Sequence, residues 1–254
     1  MTYIIVDFCQ AFRFLTIIPL GHLEWLVKKS KQRSLAAFVW AFPLVGAFLG
    51  ALGYGAYQGF IQLFPDNISI TLMMMILIVM TSALHEDGLA DLADGLGGRS
   101  VVERLTIMKD HRIGVYGALS LVSLLFLRWQ LLLALVVRSE QFFFILIAEQ
   151  AISRFWMGTA LYASKPAKNS GLAFSVGKPN TQTIYCSGVI TLLCLLGLNW
   201  QTVAVLCLTT LMLFFIFLAI IKRLFGGITG DLLGALQQLQ QLLVLAVCFG
   251  CARF

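Results

Sequence analysis

Half of the acidic residues of this chain lie in one short stretch. Six of its twelve carboxylates fall between Glu86 and Asp110, and Asp87, Asp91 and Asp94 follow one another at intervals of four and three residues. On a helix these three side chains share one face, because 3.6 residues complete a turn. Like charges this close repel each other unless a cation lies between them, and hard oxygen ligands suit Mg²⁺ or Mn²⁺ better than zinc. The spacing predicts a divalent-metal site, with a solvated acidic helix face as the alternative.

Glycines and basic residues accompany the acidic stretch. Four glycines and then four cations lie within the same segment, at Gly88, Gly95, Gly97, Gly98, Arg99, Arg104, Lys109 and Arg112. Glycines let a backbone approach a bulky ligand closely, and they are poor residues for a merely solvated helix. A metal ion with Lys and Arg suits phosphoryl transfer, because the metal bridges phosphate oxygens and the cations hold the remaining charge. Alternatively, the cations serve only to orient the chain in a membrane.

Two further places combine polar residues with apolar surroundings. Ser153 and Arg154 lie in the middle of an apolar stretch, close to Glu149. A charge at membrane depth is costly, so Arg154 either pairs with Glu149 or reaches a polar pocket, and an offset of five residues is poor for a direct pair. The second place is a glycine-rich turn with polar neighbours, at Lys222, Arg223, Thr229 and Asp231. Such a turn can cradle phosphate through its backbone amides, or its polar side chains simply cap the next helix.

Membrane helices must position these residues, because the composition excludes an ordinary soluble protein. The chain has 254 residues, of which 59% are hydrophobic and only 12% charged, and its mean hydropathy is +0.90. A soluble domain carries about 25% charged residues. The same figures exclude a disordered protein and a disulfide-stapled secreted module, and of the six cysteines only Cys248 and Cys251 form a CxxC pair, with no His or third Cys nearby to complete a zinc site. The net charge is +6, and the basic residues lie mostly in short loops between apolar segments. This distribution indicates that most of them determine membrane topology and that some bind an anionic ligand, and we expect no nucleic acid partner.

Seven segments approach the roughly 20 residues that a membrane-spanning helix needs. They are 36–63, 68–84, 115–137, 142–162, 183–199, 202–221 and 232–252. In the first of them Gly46 and Gly50 form a GxxxG pair, which is typical of close helix packing. The N-terminal segment is short and contains Asp7 and Arg13, so it predicts an interfacial or re-entrant helix. The predicted fold is an all-α, polytopic integral membrane protein with about seven transmembrane helices in a single domain, 1–254.

Basic residues mark one side of this bundle. Thirteen of them lie at segment ends on that side, at Lys28, Lys29, Lys31, Arg33, Arg99, Arg104, Lys109, Arg112, Lys165, Lys168, Lys178, Lys222 and Arg223. Only Arg138 and Arg253 lie at ends on the other side, and Arg128 lies inside an apolar stretch. The positive-inside rule makes the first group cytoplasmic. We therefore expect the loop 85–114 in the cytoplasm and the C-terminus outside.

Several longer patterns follow one another in order along the chain. They are Phe-Leu-Thr-x-x-Pro, Phe-Pro-Leu-x-Gly, His-x-Asp-Gly-Leu-Ala-Asp-x-x-Asp-Gly, Ile-Met-x-Asp-x-Arg-x-Gly, Ser-Arg and Gly-Gly-x-Thr-Gly-Asp. These patterns occupy 14–19, 42–46, 85–95, 107–114, 153–154 and 226–231. With them the chain resembles the adenosylcobinamide-GDP ribazoletransferase family, also called cobalamin (5'-phosphate) synthase, over nearly its whole length.

This resemblance implies the last joining step of cobalamin assembly. The substrates would be adenosylcobinamide-GDP and α-ribazole or α-ribazole 5'-phosphate, and the products adenosylcobalamin or its 5'-phosphate and GMP. A hydroxyl of ribazole would attack the phosphoryl group attached to cobinamide. The resemblance also implies Mg²⁺ as the cofactor and the lipid bilayer of the bacterial cytoplasmic (inner) membrane as the location. A homo-oligomer is compatible with the sequence.

The resemblance also implies roles for individual residues. Asp87, Asp91 and Asp94 would hold the metal ion. The catalytic residues would be Asp94, as acceptor of the hydroxyl proton, together with Asp110 and Arg154. The substrate-binding residues would be His85, Arg99, Lys109, Arg112, Ser153, Lys222, Arg223, Thr229 and Asp231.

Three positions depart from the family's pattern. Glu86 stands where the family more often has an apolar residue, which adds a carboxylate to the acidic stretch. Gln238 and Gln241 stand where relatives commonly carry Glu. If those Glu side chains help to bind the metal or ribazole, this chain binds them differently.

Two other functions fit parts of the sequence. The stretch 91–99, Asp-x-x-Asp-Gly-x-x-Gly-Arg, partly matches the signature of the CDP-alcohol phosphotransferases that make phospholipids, but the second half of that signature is missing. A cation transporter would use the acidic face as an entry site and would need carboxylates at mid-membrane in several spans. Only Glu149 meets that requirement.

Overall fold

Helices form the regular structure of the chain in the computed structural model, which describes residues 2–20 and 34–252. A 3-10 helix at Leu35–Ala41 leads into the second of eleven α-helices found in these residues. The α-helices are α1 (Thr2–Leu15), α2 (Phe42–Phe60), α3 (Asp66–Met80), α4 (Leu84–Gly95), α5 (Val101–Ile107), α6 (Val115–Arg138), α7 (Phe142–Ala163), α8 (Leu172–Val176), α9 (Thr181–Cys194), α10 (Trp200–Phe225) and α11 (Gly230–Cys251). The prediction of an all-α, multi-pass membrane protein is confirmed.

Four stretches of the described chain are long and apolar enough to cross a membrane, and a bent helix pair could make a fifth. They are Leu35–Phe60, α6, α10 and α11, and the bent pair is α3 with α4. The predicted number of seven is therefore not confirmed, although each predicted segment overlaps a helix. α9 has only 14 residues. α7 has 22 residues, but it carries polar and charged side chains because it is buried inside the bundle instead of facing lipid.

α7 packs closely against α2 in the middle of the bundle. A Cβ atom at Gly46 would lie 2.3 Å from the backbone oxygen of Gln150, and one at Gly50 would lie 2.4 Å from that of Leu146. Glycine at both positions therefore allows the two backbones to approach each other. The GxxxG pair serves helix packing, as the sequence predicted, and α7 packs on another side against α11.

The chain turns sharply between α3 and α4. α3 ends at Met80, before the predicted end of the second segment at residue 84, and the two helices are bent by 85°. Ser82 and Ala83 occupy the left-handed region, with φ of 54° and 51°, and such a conformation costs a residue other than glycine about 1–3 kcal/mol. The turn packs α4, which carries the acidic stretch, against α6 and α11. Much of the predicted loop 85–114 is therefore helical, in α4 and α5.

Candidate active site

A pocket of about 740 Å³ opens between α4 and three segments that connect helices. These segments are 108–113 after α5, 168–173 at the start of α8, and 228–231 at the start of α11. We call this space the acidic pocket. Its walls carry carboxylates on one side and basic side chains on another.

Five carboxylates line the pocket, and we call three of them, Asp87, Asp91 and Asp231, its acidic side; the other two are Glu86 and Asp110. Asp87 and Asp91 lie one turn apart on α4, and Asp231 lies in the first turn of α11. A Cβ atom at Gly88 would lie 2.4 Å from the backbone oxygen of Asp231, so glycine there lets α11 begin directly against α4. The half-buried Asp91 lies among the like charges of Asp87, Asp231 and Asp94. Such crowding favours a bound cation.

Lys109, Arg112 and Lys168 form the basic side. Arg112 donates several hydrogen bonds to the carboxylate of Asp110, and the shortest runs from Nη2 to Oδ2 at 2.8 Å. These hydrogen bonds lower the pKa of the Asp110 carboxyl to about 2. Lys168 Nζ donates to the backbone oxygen of Leu105 at 3.2 Å. Burial lowers the pKa of Lys168, and the positive charge of Lys109 lowers it further. Asp110 therefore stays ionised at neutral pH and pairs with the exposed guanidinium of Arg112.

The glycine-rich turn before α11 forms part of the wall. Thr229 is the N-cap of α11, because its hydroxyl accepts a hydrogen bond from the amide of Leu232 at 3.3 Å. The same hydroxyl donates to Asp231 Oδ2 at 3.4 Å. Ile228 exchanges backbone hydrogen bonds of 2.9 Å with Lys165 and Ala167. These bonds fix the segment that carries Lys168 beside the start of α11.

Asp94 lies at the other end of α4 and does not line the acidic pocket. Its two carboxylate oxygens accept hydrogen bonds from the backbone amides of Gly114 and Gly117, each at 2.8 Å. Both amides belong to the start of α6. Asp94 therefore connects two helices in this structure, whereas Asp87 and Asp91 face the pocket.

A second polar group lies inside the bundle. Arg128 Nη2 on α6 donates to Glu149 Oε1 on α7 at 3.1 Å, and the two side chains are 4% and 0% exposed. Gln150 Nε2 donates to the same oxygen at 3.1 Å. Arg154 is buried, and its guanidinium donates to the backbone and side-chain oxygens of Gln150. The partner of Glu149 is therefore Arg128, whereas Arg154 forms no ion pair with Glu149, in agreement with the poor spacing on one helix.

α4 and α11 complete this buried group. Gln238 Nε2 donates a hydrogen bond to Glu86 Oε1 at 2.8 Å. Two of the three residues that depart from the family's pattern therefore contact each other. Both ring nitrogens of the buried His85 lack a hydrogen-bond partner within the described part of the chain. Glu86 lines the acidic pocket as well as this interior. We call the group the buried polar cluster and define it as His85, Glu86, Arg128, Glu149, Gln150, Arg154, Gln237, Gln238 and Gln241.

The structure brings some predicted site residues together and separates others. Seven line the acidic pocket, namely Asp87, Asp91, Lys109, Asp110, Arg112, Thr229 and Asp231. Four lie elsewhere in the bundle, namely His85, Asp94, Ser153 and Arg154. Three are exposed and outside the pocket lining, namely Arg99, Lys222 and Arg223. The roles of these residues in binding and catalysis stay predictions.

Sequence reasoning missed two residues that the structure makes prominent. Lys168 was counted only among the basic residues that orient the chain, and nothing in its local pattern sets it apart from Lys165. Arg128 gave a stronger signal, because it is a charge inside an apolar stretch. Its partner is 21 residues away on another helix, which local spacing cannot reveal.

Comparison with known proteins finds relatives over nearly the whole chain. The family model for cobalamin-5-phosphate synthase matches residues 7–249. Three relatives named adenosylcobinamide-GDP ribazoletransferase are 36%, 34% and 32% identical to this chain, and they come from Mesorhizobium japonicum, Bradyrhizobium diazoefficiens and Clostridium kluyveri, respectively. The alignments cover 96%, 96% and 97% of this chain and 93%, 93% and 97% of the relatives. No solved structure matches. The chain belongs to the cobalamin-5-phosphate synthase family.

Proposed function

We propose that this protein joins adenosylcobinamide-GDP to α-ribazole or α-ribazole 5'-phosphate and releases GMP. The family membership and the full-length relatives with this activity in their names support the proposal. The observation that carries it in the structure is the acidic pocket, where Asp87, Asp91 and Asp231 face Lys109 and the other basic side chains. A pocket with carboxylates and cations suits a reaction at a diphosphate.

Mg²⁺ fits the acidic side of the pocket. Within residues 2–20 and 34–252 no three acidic, His or Cys side chains are close enough to form a complete cation site. Mg²⁺ does not require such a set, because it usually takes one or two carboxylates and completes its octahedron with water and substrate phosphates. Asp87 and Asp91 are the carboxylates that would hold it. Bound there, Mg²⁺ would neutralise charge on the diphosphate.

The chain's own residues then have distinct tasks. Lys109 and Lys168 bind phosphate oxygens, and Asp110 keeps the guanidinium of Arg112 oriented. A ribose hydroxyl oxygen that is free in both α-ribazole and its 5'-phosphate forms a bond to the phosphorus attached to cobinamide, the bond from that phosphorus to the GMP oxygen breaks, and the hydroxyl proton passes to a carboxylate. Asp231 is better placed for this than Asp94, because it lines the pocket.

The proposed location is the cytoplasmic membrane of a bacterium, with the acidic pocket on the cytoplasmic side. Basic residues support this orientation, because Lys109, Arg112 and Lys168 line the acidic pocket. Among the described residues, a separate cavity of about 380 Å³ between the ends of α6 and α11 carries only Arg138 as a basic residue. The comparisons give no support to the two alternatives, a CDP-alcohol phosphotransferase and a cation transporter.

The test is GMP release by the purified protein in lipid, given adenosylcobinamide-GDP, α-ribazole and Mg²⁺. We expect GMP and a corrinoid product from the wild type, at least hundredfold slower turnover by Asp91→Asn, and loss of activity with EDTA. Glu140→Gln is the matched control, because Glu140 is an exposed acid in the opposite cavity, and it should stay within twofold of the wild type. Absence of GMP, or release of CMP from CDP-diacylglycerol instead, would refute the proposal.

A further inference from the structure

The carboxylate of Asp94 joins two helix ends that are separated by a long excursion of the chain. Oδ2 accepts from the amide of Gly114, 20 residues away, and Oδ1 accepts from the amide of Gly117, 23 residues away. Gly114 is the N-cap of α6, and Gly117 lies in its first turn. The first amides of a helix have no partner within the helix, and negative charge is favourable beside them. Asp94 supplies both the acceptors and the charge.

The two glycines make this contact sterically possible. A Cβ atom at Gly114 would lie 2.4 Å from Asp94 Oδ1, and one at Gly117 would lie 2.4 Å from Oδ2. Neither glycine has a positive φ, so each is required for space and not for backbone conformation. Any side chain at either position would push the carboxylate away from the amides.

The same geometry separates Asp94 from Asp87, with Asp91 between them and within electrostatic reach of both. Seven residues of α-helix advance by about 10 Å along the axis, so Asp94 is far from Asp87 although the two share a face. Mg²⁺ binds its ligands at about 2.1 Å, so one ion could contact both carboxylates only if each side chain extended along the helix axis towards the other. Asp94 also uses both of its oxygens on α6.

We infer that Asp94 is a positioning residue, which clamps the start of α6 to the end of α4 and so closes the base of the excursion 96–113. That excursion carries Lys109 and Arg112 into the acidic pocket. With the clamp in place, the cations stand at a fixed position relative to the carboxylates of α4. The functional consequence rests on the proposed phosphoryl transfer, whereas the clamp itself is independent of it.

The first measurement is hydrogen exchange at the amides of Gly114 and Gly117, in purified protein in lipid. We expect Asp94→Ala to speed exchange at both amides at least tenfold and Asp94→Asn to have an intermediate effect, because one amide oxygen can still accept. Gly117→Ala should speed exchange at the Gly114 amide as much as Asp94→Ala does, although Asp94 is intact. In the double variant Asp94→Ala/Gly117→Ala the Gly114 amide should exchange no faster than in either single variant. Gly55→Ala is the control, because nothing lies within 4 Å of a Cβ atom there.

The second measurement is Mn²⁺ binding without substrate, followed by the paramagnetic signal of the free ion. We expect Asp94→Ala to bind Mn²⁺ within threefold of the wild type and Asp91→Asn to lose at least tenfold in affinity. Unchanged exchange at both glycine amides in Asp94→Ala, or a loss of Mn²⁺ binding equal to that of Asp91→Asn, would overturn the inference. If Asp91→Asn also binds Mn²⁺ normally, the proposed metal site is wrong, and the exchange data still decide the role of Asp94.

Discussion

Removing one partner of the ion pair between Arg128 and Glu149 should lower the stability of the protein strongly, whereas removing both together should lower it less. The two side chains are almost fully buried, and the N–O distance is 3.1 Å. Arg128→Met leaves Glu149 with Gln150 as its remaining donor. The buried polar cluster then holds the charges of Glu86 and Glu149 against that of Arg154 alone, so one negative charge lies uncompensated inside the bundle.

The expected magnitude follows from this loss of charge balance. Breaking a buried pair by removing one partner costs about 3–5 kcal/mol. For a protein of this size about 1 kcal/mol shifts the melting temperature by about 2–4 °C. The Tm of Arg128→Met in detergent should therefore fall by about 6–20 °C. Glu149→Gln removes the other charge, and it should also lower Tm because it leaves Arg128 unpaired.

The double variant Arg128→Met/Glu149→Gln tests whether pairing is the cause. It removes both charges together, and the Gln side-chain oxygen can still accept from Gln150, so it should be more stable than Arg128→Met alone. Arg13→Met is the matched control, because Arg13 is exposed on α1. Thermal melts followed by tryptophan fluorescence measure all four. If Arg128→Met loses no more than Arg13→Met, or if the double variant loses the sum of the two single losses, the reasoning is refuted.

Three further predictions concern packing, orientation and substrate binding. Gly46→Ala should lower the free energy of unfolding by about 1–3 kcal/mol or more, because a Cβ atom there meets the backbone of α7. Gly55→Ala should instead raise the free energy of unfolding by about 0.5–1 kcal/mol. Chemical denaturation in detergent measures both variants. In a cysteine-free background, an impermeant thiol reagent applied outside should label Glu140→Cys and spare Ser100→Cys, and the reverse would overturn the orientation. Lys168→Met should raise KM for adenosylcobinamide-GDP about tenfold, because hydrogen bonds to charged groups are worth about 1.5–3 kcal/mol, and an unchanged KM would exclude phosphate binding by this lysine.

The helices could be predicted from the sequence because long apolar runs leave few other structures in a membrane. The predicted segment 115–137 corresponds to Val115–Arg138, and 232–252 corresponds to Gly230–Cys251. The break after Met80 could not be predicted, since Ser82 and Ala83 are ordinary residues for a continuing helix and neither residue type indicates a positive φ. The predicted number of seven spans is not confirmed, because α7 and α9 in the described chain do not have both the length and the hydropathy of a span. Apolar composition does not separate a helix that faces lipid from one that is buried in protein.

The site could be predicted in composition but only partly in geometry. Helical periodicity gives the direction of a side chain around the axis, and it placed Asp87 and Asp91 correctly beside each other. It also gives the distance along the axis, but not the partner of a side chain, because the hydrogen bonds of Asp94 with Gly114 and Gly117 depend on how α6 packs against α4. The approach of Asp231 depends on how α11 packs against α4, and no local pattern encodes it. The clearest sequence signal for that packing is the glycine at Gly88.

α4 separates the acidic pocket from the buried polar cluster, and glycines determine how closely it approaches α11. Asp87 faces the pocket, whereas the preceding residue, Glu86, reaches Gln238 in the interior as well. A Cβ atom at Gly88 would lie 2.4 Å from the backbone oxygen of Asp231, and one at Gly234 would lie 3.1 Å from the Cα atom of His85. A larger residue at either glycine would move α11 away from α4 and carry Asp231 with it. The distance between the carboxylates of the pocket is therefore set by helix packing, so the glycines of the acidic pattern matter to its chemistry as much as the aspartates do.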